Sequence, residues 1–240
     1  RMALRRNSNR RRGHSGHNLI RDRESHKKIK RKRIKMKKCR IIGGGNFSPD
    51  VFLKNIKANP GFLIAADSGY SYLKKLEIIP DLCVGDFDSL GFVPKDCPVI
   101  KLPVAKNDTD ISAAIKEGFK KDYNDFEIYG ALGGERISHS LANIQLLAMV
   151  DRMGGKAVIF DENKTIRVLS AGKISFSENE SGNISIFAFT NKISVKITGL
   201  RYSYNGIVKN DFPLGVSNAF IGQNSEIEVN DGTALIVIEK

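Results

Sequence analysis

The chain has 240 residues, 41% of them hydrophobic, and a net charge of +13, enough for one large domain or two modest ones around a sizeable core. The charge is concentrated at one end: residues 1–40 hold 18 Lys or Arg against Asp22 and Glu24, so the remainder is mildly acidic. Three cysteines without CxxC spacing argue against a disulfide framework or a zinc knuckle. His139 is the one histidine outside the basic segment, which excludes a His-rich zinc site in the body. No apolar run approaches the roughly eighteen residues needed to cross a bilayer, so a cytoplasmic protein without membrane attachment is expected.

Residues 1–38 are polar and Arg/Lys-dense, unable to bury enough apolar surface to offset the entropy of ordering, and are expected to form a disordered basic tail. Such a tail binds nucleic acid non-specifically by counterion release; it also reads as a non-native leader, with Met36 as a natural start. From residue 39 short apolar runs at 39–42, 62–66, 82–84, 99–102, 126–129 and 157–160 read as buried strands. Helical periodicity lies between them at 50–57, 70–76, 109–121 and 140–153. Alternating strand and helix predicts an α/β domain, residues 39–161, with a mainly parallel, Rossmann-like sheet covered on both faces. Beyond 162 helical periodicity stops. Segments 165–169, 174–176, 184–189, 193–197, 207–209, 226–229 and 234–238, punctuated by glycines, predict an all-β domain over 162–240.

Three features carry chemistry. Gly43-Gly44-Gly45-Asn46-Phe47-Ser48 follows the first strand and resembles a phosphate-binding GxGxxG loop, with Asp67 where a ribose-binding acid would fall. Alone it suggests a dinucleotide-dependent oxidoreductase, although three glycines after a strand also make a tight turn. More discriminating is the distribution of aspartates: Asp67, Asp86, Asp88, Asp108 and Asp110 all fall at C-terminal strand ends or helix starts, the edge where open α/β sheets bind ligands. Two carboxylates 4 Å apart repel by about 1 kcal/mol in water and about 4 kcal/mol at an effective dielectric near 20, so their convergence calls for a cation. All-oxygen ligation favours Mg²⁺ shared with phosphate oxygens. Asp108 reads equally well as a helix cap. The third feature, Gly130 to Asn143, is a Gly-rich turn entering a helix, suited to an anion, with Arg136 offering a planar fork to phosphate and His139 offering either a phosphate contact or a structural hydrogen bond.

Ala66-Asp67-Ser68-Gly69, Pro80-Asp81-Leu82-Cys83-Val84-Gly85-Asp86-Phe87-Asp88-Ser89, Lys106-Asn107-Asp108-Thr109-Asp110, Gly133-Gly134 to Asn143, and Gly215-Val216-Ser217-Asn218 occur in that order. Together they resemble the motif set of the thiamine pyrophosphokinases over residues 39–240. The resemblance implies a C-terminal β-sandwich and a homodimer with active sites between subunits. It also implies a magnesium-dependent transfer of pyrophosphate from ATP to thiamine. Asp67, Asp86, Asp88 and Asp110 would hold Mg²⁺, with Asp86, Asp88 and Asp110 catalytic and Asp88 or Asp110 accepting the hydroxyl proton. Gly44, Asn46, Asp67, Lys106, Asp108, Thr109, Gly133, Gly134, Arg136, His139 and Asn143 would lie on the ATP side, and Ser217 and Asn218 would approach thiamine from the partner. Departures from the pattern are Ser68 in place of Gly, Ser138 in place of Asp, the additional Glu135, and the absence of Trp. A nucleic-acid-binding module using the tail and a Rossmann-type oxidoreductase are the alternative readings.

Overall fold

The computed structural model describes residues 36–103 and 108–240. The basic tail up to residue 35, and Lys106 with its neighbours, lie outside the described residues.

The first part alternates as expected: β1 (Lys38–Ile42), α1 (Pro49–Ala58), β2 (Phe62–Ala66), α2 (Gly69–Lys75), β3 (Leu82–Gly85), β4 (Val99–Lys101), α3 (Asp110–Lys120), β5 (Asp125–Tyr129), α4 (Ile137–Arg152) and β6 (Lys156–Phe160). These six strands are parallel, in the order β6-β5-β1-β2-β3-β4. Successive side chains of a strand point to opposite faces, so mainly apolar strands supply two cores at once. Ile41, Ile64 and Ile128 pack with Ile115 of α3 and Leu147 of α4; Ile42, Leu63 and Ala65 pack with Phe52 of α1 and Leu73 of α2. Helix starts follow local chemistry: Pro begins α1 and Asp50 sits in its first turn, and the Thr109 hydroxyl caps α3 by accepting from Ser112 N at 3.2 Å.

β6 then turns directly into β7 (Lys164–Phe176), its antiparallel neighbour, with Ile159 opposite Ile166. The parallel sheet therefore continues into the second part without a break in hydrogen bonding. β7 runs along β12 (Ser225–Glu239). The other edge of β12 is shared: residues 234–239 pair with β8 (Asn183–Ala188), and residues 226–231 with β9 (Lys192–Thr198). β11 (Gly215–Ala219) extends the β8 side and β10 (Tyr204–Lys209) the β9 side. Between them lies a separate apolar core with Ile186, Val195, Ile227 and Ile236. The described residues thus form a mixed α/β fold with one large sheet of twelve strands and four helices.

Two expectations about the second part need correcting. Segments 165–169 and 174–176 are one strand, as are 226–229 and 234–238. Their glycines mark bends, not ends: β12 bulges between Val229 and Thr233, with Gly232 at φ 80°, opposite Ala171 at φ 35° in β7. A bulge reorients a strand while keeping its pairing, which is how β12 serves two different neighbours. β11 is an additional strand.

One ionic network is buried within the parallel sheet. Arg40 of β1, with no exposed surface, pairs its Nε with Glu127 Oε2 of β5 at 2.8 Å and donates from Nη2 to Asn55 O. Lys38 also pairs with Glu127, and the Tyr129 hydroxyl donates to the same carboxylate.

Candidate active site

The strand order reverses at β1, whose neighbours are β2 and β5, creating a crevice at their C-terminal ends. A cleft of about 630 Å³ occupies that edge, lined by the glycines at 43–45, the aspartates 67, 86, 88, 108 and 110, residues 130, 131 and 133–136, and His139 with Asn143.

The glycines permit close approach of two loops. Gly45 N–H donates to Gly130 O at 2.7 Å, and Asn46 N–H to Leu132 O at 2.7 Å. A Cβ on Gly44 would lie 2.0 Å from Ser68 Oγ, and one on Gly133, at φ 74°, would lie 2.3 Å from Asn46 Nδ2. The Gly45 and Asn46 amides are therefore spent on joining the two loops, and the side chain of Asn46 packs beneath Gly133. Asn143, largely buried, donates to Ala131 O at 2.8 Å and fixes the same turn from α4. No side chain caps α4, whose N-cap is Arg136; the unpaired first-turn amides of such a helix attract an anion. Gly134, Glu135, Arg136 and His139 are exposed along this rim.

Opposite stand the acids. Phe87 is buried in the core at φ 63°, and Asp86 and Asp88 flank it on the cleft side. An apolar anchor between two acids thus directs both carboxylates the same way. Gly85 allows β2 and β3 to converge: a Cβ there would come within 3.0 Å of Asp67 Cα. One carboxylate oxygen from each of Asp67, Asp86 and Asp88 lies within 4.8 Å of the others. Asp67 is buried, and its Oδ1 has no hydrogen-bond partner among the described residues. Burial pushes the Asp67 carboxyl above its ordinary range, reinforced by Asp110 and Asp86 and opposed by hydrogen bonds from Ser68 N–H and the Ser89 hydroxyl. A buried acid with an orphaned oxygen beside other carboxylates fits a hard divalent cation by its donor chemistry.

The remaining residues divide. Asp110 begins α3 and lines the cleft. Asp108 also lines it, but its carboxylate forms an ion pair with Lys116 at 2.6 Å and accepts from Ser112 Oγ; Thr109, not Asp108, is the cap. Ser217 and Asn218 in β11 are not among the cleft-lining residues. Asn218 is buried and accepts from Tyr202 N and donates to Tyr202 O, whereas Ser217 is exposed at φ 58°. Sequence reasoning missed Ser89, whose hydroxyl donates to Asp88 Oδ1 at 3.1 Å and which lines the cleft. Its place immediately after the two acids was the available signal.

The family model described as "Thiamin pyrophosphokinase, catalytic domain" matches residues 53–159. No curated protein matches the sequence. Among solved structures, a thiamine pyrophosphokinase from Bacillus subtilis is similar at TM-score 0.75 and 25% identity, over 85% of this chain and 99% of that one. A thiamin pyrophosphokinase family protein from Enterococcus faecalis gives 0.71 and 24% over 85% and 99%. At 17% identity, the fold of the Candida albicans thiamin pyrophosphokinase gives 0.69 over 85% and 90%.

Proposed function

We infer that this chain belongs to the thiamine pyrophosphokinase family, as its matched region and structural neighbours indicate, and from that premise propose that it transfers the pyrophosphate of ATP to the hydroxyl of thiamine, releasing AMP. The observation that carries the chemistry is the meeting of Asp67, Asp86 and Asp88 within 4.8 Å at the sheet edge. An oxidoreductase reading leaves those acids without a role.

Asp67, Asp86, Asp88 and Asp110 would hold magnesium. When bound, the ion supplies Lewis acidity and a template for the phosphates. The chain's own residues do the rest. The α4 N-terminus and Arg136 bind phosphate oxygens, with His139 beside them, and Gly133 and Gly134 leave room for the nucleotide to approach. Asn143 holds the turn that positions these groups. Ser89 orients Asp88 through its hydroxyl. Thiamine's hydroxyl attacks the β-phosphorus in line, and its proton passes to Asp88 or Asp110. Positioning and electrostatics carry most of the rate in such transfers.

On this reading the α/β part, 39–161, binds ATP, and the β part, 162–240, forms a sandwich that binds thiamine in a cytoplasmic homodimer. Two observations support a partner's contribution. Among the described residues, the cleft lining contains no Phe, Tyr or Trp to face a thiamine ring. Ser217 is exposed in a stretch with the exposed Tyr202, Phe212, Leu214 and Val216. With the Asn218 amide occupied by Tyr202, Ser217 is the residue of the pair that would touch the acceptor. The test is to mix the protein with ATP, Mg²⁺ and thiamine. Thiamine diphosphate and AMP in equal amounts are expected; ADP with thiamine monophosphate, or no product, overturns the proposal.

A further inference from the structure

We propose that Cys83 and Cys97 are a disulfide-forming pair that closes the base of the loop bearing Asp86 and Asp88. Cys83 lies within β3, fully buried; Cys97 lies just before β4 and is half-buried. Their sulfurs are 2.9 Å apart as free thiols, against about 2.05 Å in a disulfide. The bond therefore needs a sulfur displacement of less than about 1 Å, within reach of side-chain rotation. β3 and β4 already hold the two backbones in place: Cys83 N–H donates to Pro98 O at 2.8 Å, and Cys83 is in register with Val99. The intervening loop is anchored by Phe87 in the core and by the Tyr70 hydroxyl, which donates to Asp96 at 2.7 Å. The third cysteine, Cys39, is fully buried in β1.

The two sulfurs have different roles. Cys97 is the more accessible of the two and so meets an oxidant first; either thiol can donate in the 2.9 Å contact, and burial pushes both thiols upward. With hydrogen peroxide as oxidant, the Cys97 thiolate attacks one peroxide oxygen and the O–O bond breaks. Cys97 becomes a sulfenic acid, and the departing hydroxide takes a proton to become water. Cys83, deprotonated, then attacks the Cys97 sulfur and expels the second hydroxide, which leaves as water. Two thiols and one peroxide give one disulfide and two waters. The crosslink closes a short loop in the unfolded chain and so favours the folded state.

This inference is independent of the catalytic reading, and its test uses no turnover. The full chain is treated with hydrogen peroxide, quenched, unfolded, alkylated with N-ethylmaleimide and weighed intact. The expected product is monomeric on a non-reducing gel, 2 Da lighter before alkylation, and takes up a single maleimide on Cys39. Dithiothreitol restores all three sites. Cys97→Ser should show no such loss of mass, whereas Cys39→Ser should show it unchanged. Oxidised protein should melt roughly 5 °C above reduced protein. Three alkylatable thiols after oxidation, a crosslink involving Cys39 or a second chain, or a melting temperature unchanged or lowered would each overturn the proposal.

Discussion

Replacing Asp67 by Asn should make the metal-free protein more stable and the magnesium-loaded protein less so. At 4.8 Å, the bound on the separation of the acid oxygens, two unit charges repel by about 3.5 kcal/mol at an effective dielectric near 20 and about 0.9 kcal/mol at that of water. Asp88 is exposed and Asp86 half-buried, which places both repulsions on Asp67 toward the lower figure. Hydrogen bonds from Ser68 and Ser89 to the carboxylate offset part of the gain. A net stabilisation of about 1–3 kcal/mol remains, or roughly 2–10 °C in melting temperature for a chain of this size. The pH dependence follows from the direction of the shift. The folded-state pKa of Asp67 is raised above its ordinary 3.8, so the folded form holds its proton more tightly than the unfolded form. Neutral Asp67 carries no penalty at low pH; the penalty appears as pH rises through the raised value. Melting curves in EDTA from pH 4 to 8 should therefore show the Asn variant gaining on the parent as pH rises, with the difference closing toward pH 4. Added Mg²⁺ should stabilise the parent and leave the variant nearly unmoved. An Asn variant that melts below the parent in EDTA at pH 7.5, or a difference that does not change with pH, would refute the reasoning.

Glu127→Ala leaves the Arg40 guanidinium buried without its carboxylate and should lose about 3–5 kcal/mol in urea unfolding, while Arg40→Met with Glu127→Leu should recover most of it; a single-variant loss under about 1 kcal/mol would contradict the assigned role. Asp108→Asn weakens a partly exposed pair with Lys116 and keeps an acceptor for Ser112 Oγ, so thiamine diphosphate formation should stay within about threefold of the parent, whereas Asp110→Asn should reduce it by about 100-fold or more. Equal losses in these two variants would return Asp108 to the acidic cluster. Gly44→Ala drives a methyl into Ser68 Oγ and should reduce kcat/KM by roughly tenfold. Adding Ser68→Gly should restore it, and failure of the rescue would mean that the clash is not with Ser68.

The parallel sheet was legible because each strand is a short apolar run bounded by Gly, Pro or Asp, and buried parallel strands need little else. The five cleft-lining aspartates were legible for a related reason: in such a sheet every acid after a strand faces the same edge. The second half was harder. Gly172 and Gly232 look like turn residues in sequence, yet a bulge places the same residues in mid-strand, and only long-range pairing distinguishes the two. β11 carries Gly215, Ser217 and Asn218, none a strand former, and owes its extended form to β8 beside it. The Arg40–Glu127 pair lay inside two apolar runs, but its partnership depends on β1 and β5 being neighbours. The role of Asp108 turned on Lys116, two turns along the helix. The nearness of Cys83 and Cys97 could not be read from spacing, because it depends on how β3 and β4 align.

The hairpin between β6 and β7 has a consequence for how this chain can be divided. Cutting it at residues 161–163 would leave each fragment with a raw row of unsatisfied backbone donors and acceptors along a strand that is interior in the intact protein. Fragments of that kind recruit foreign strands and precipitate. The α/β and β-rich parts are thus welded at their sheet, and expressing either alone should yield a sticky remnant in place of a free-standing module.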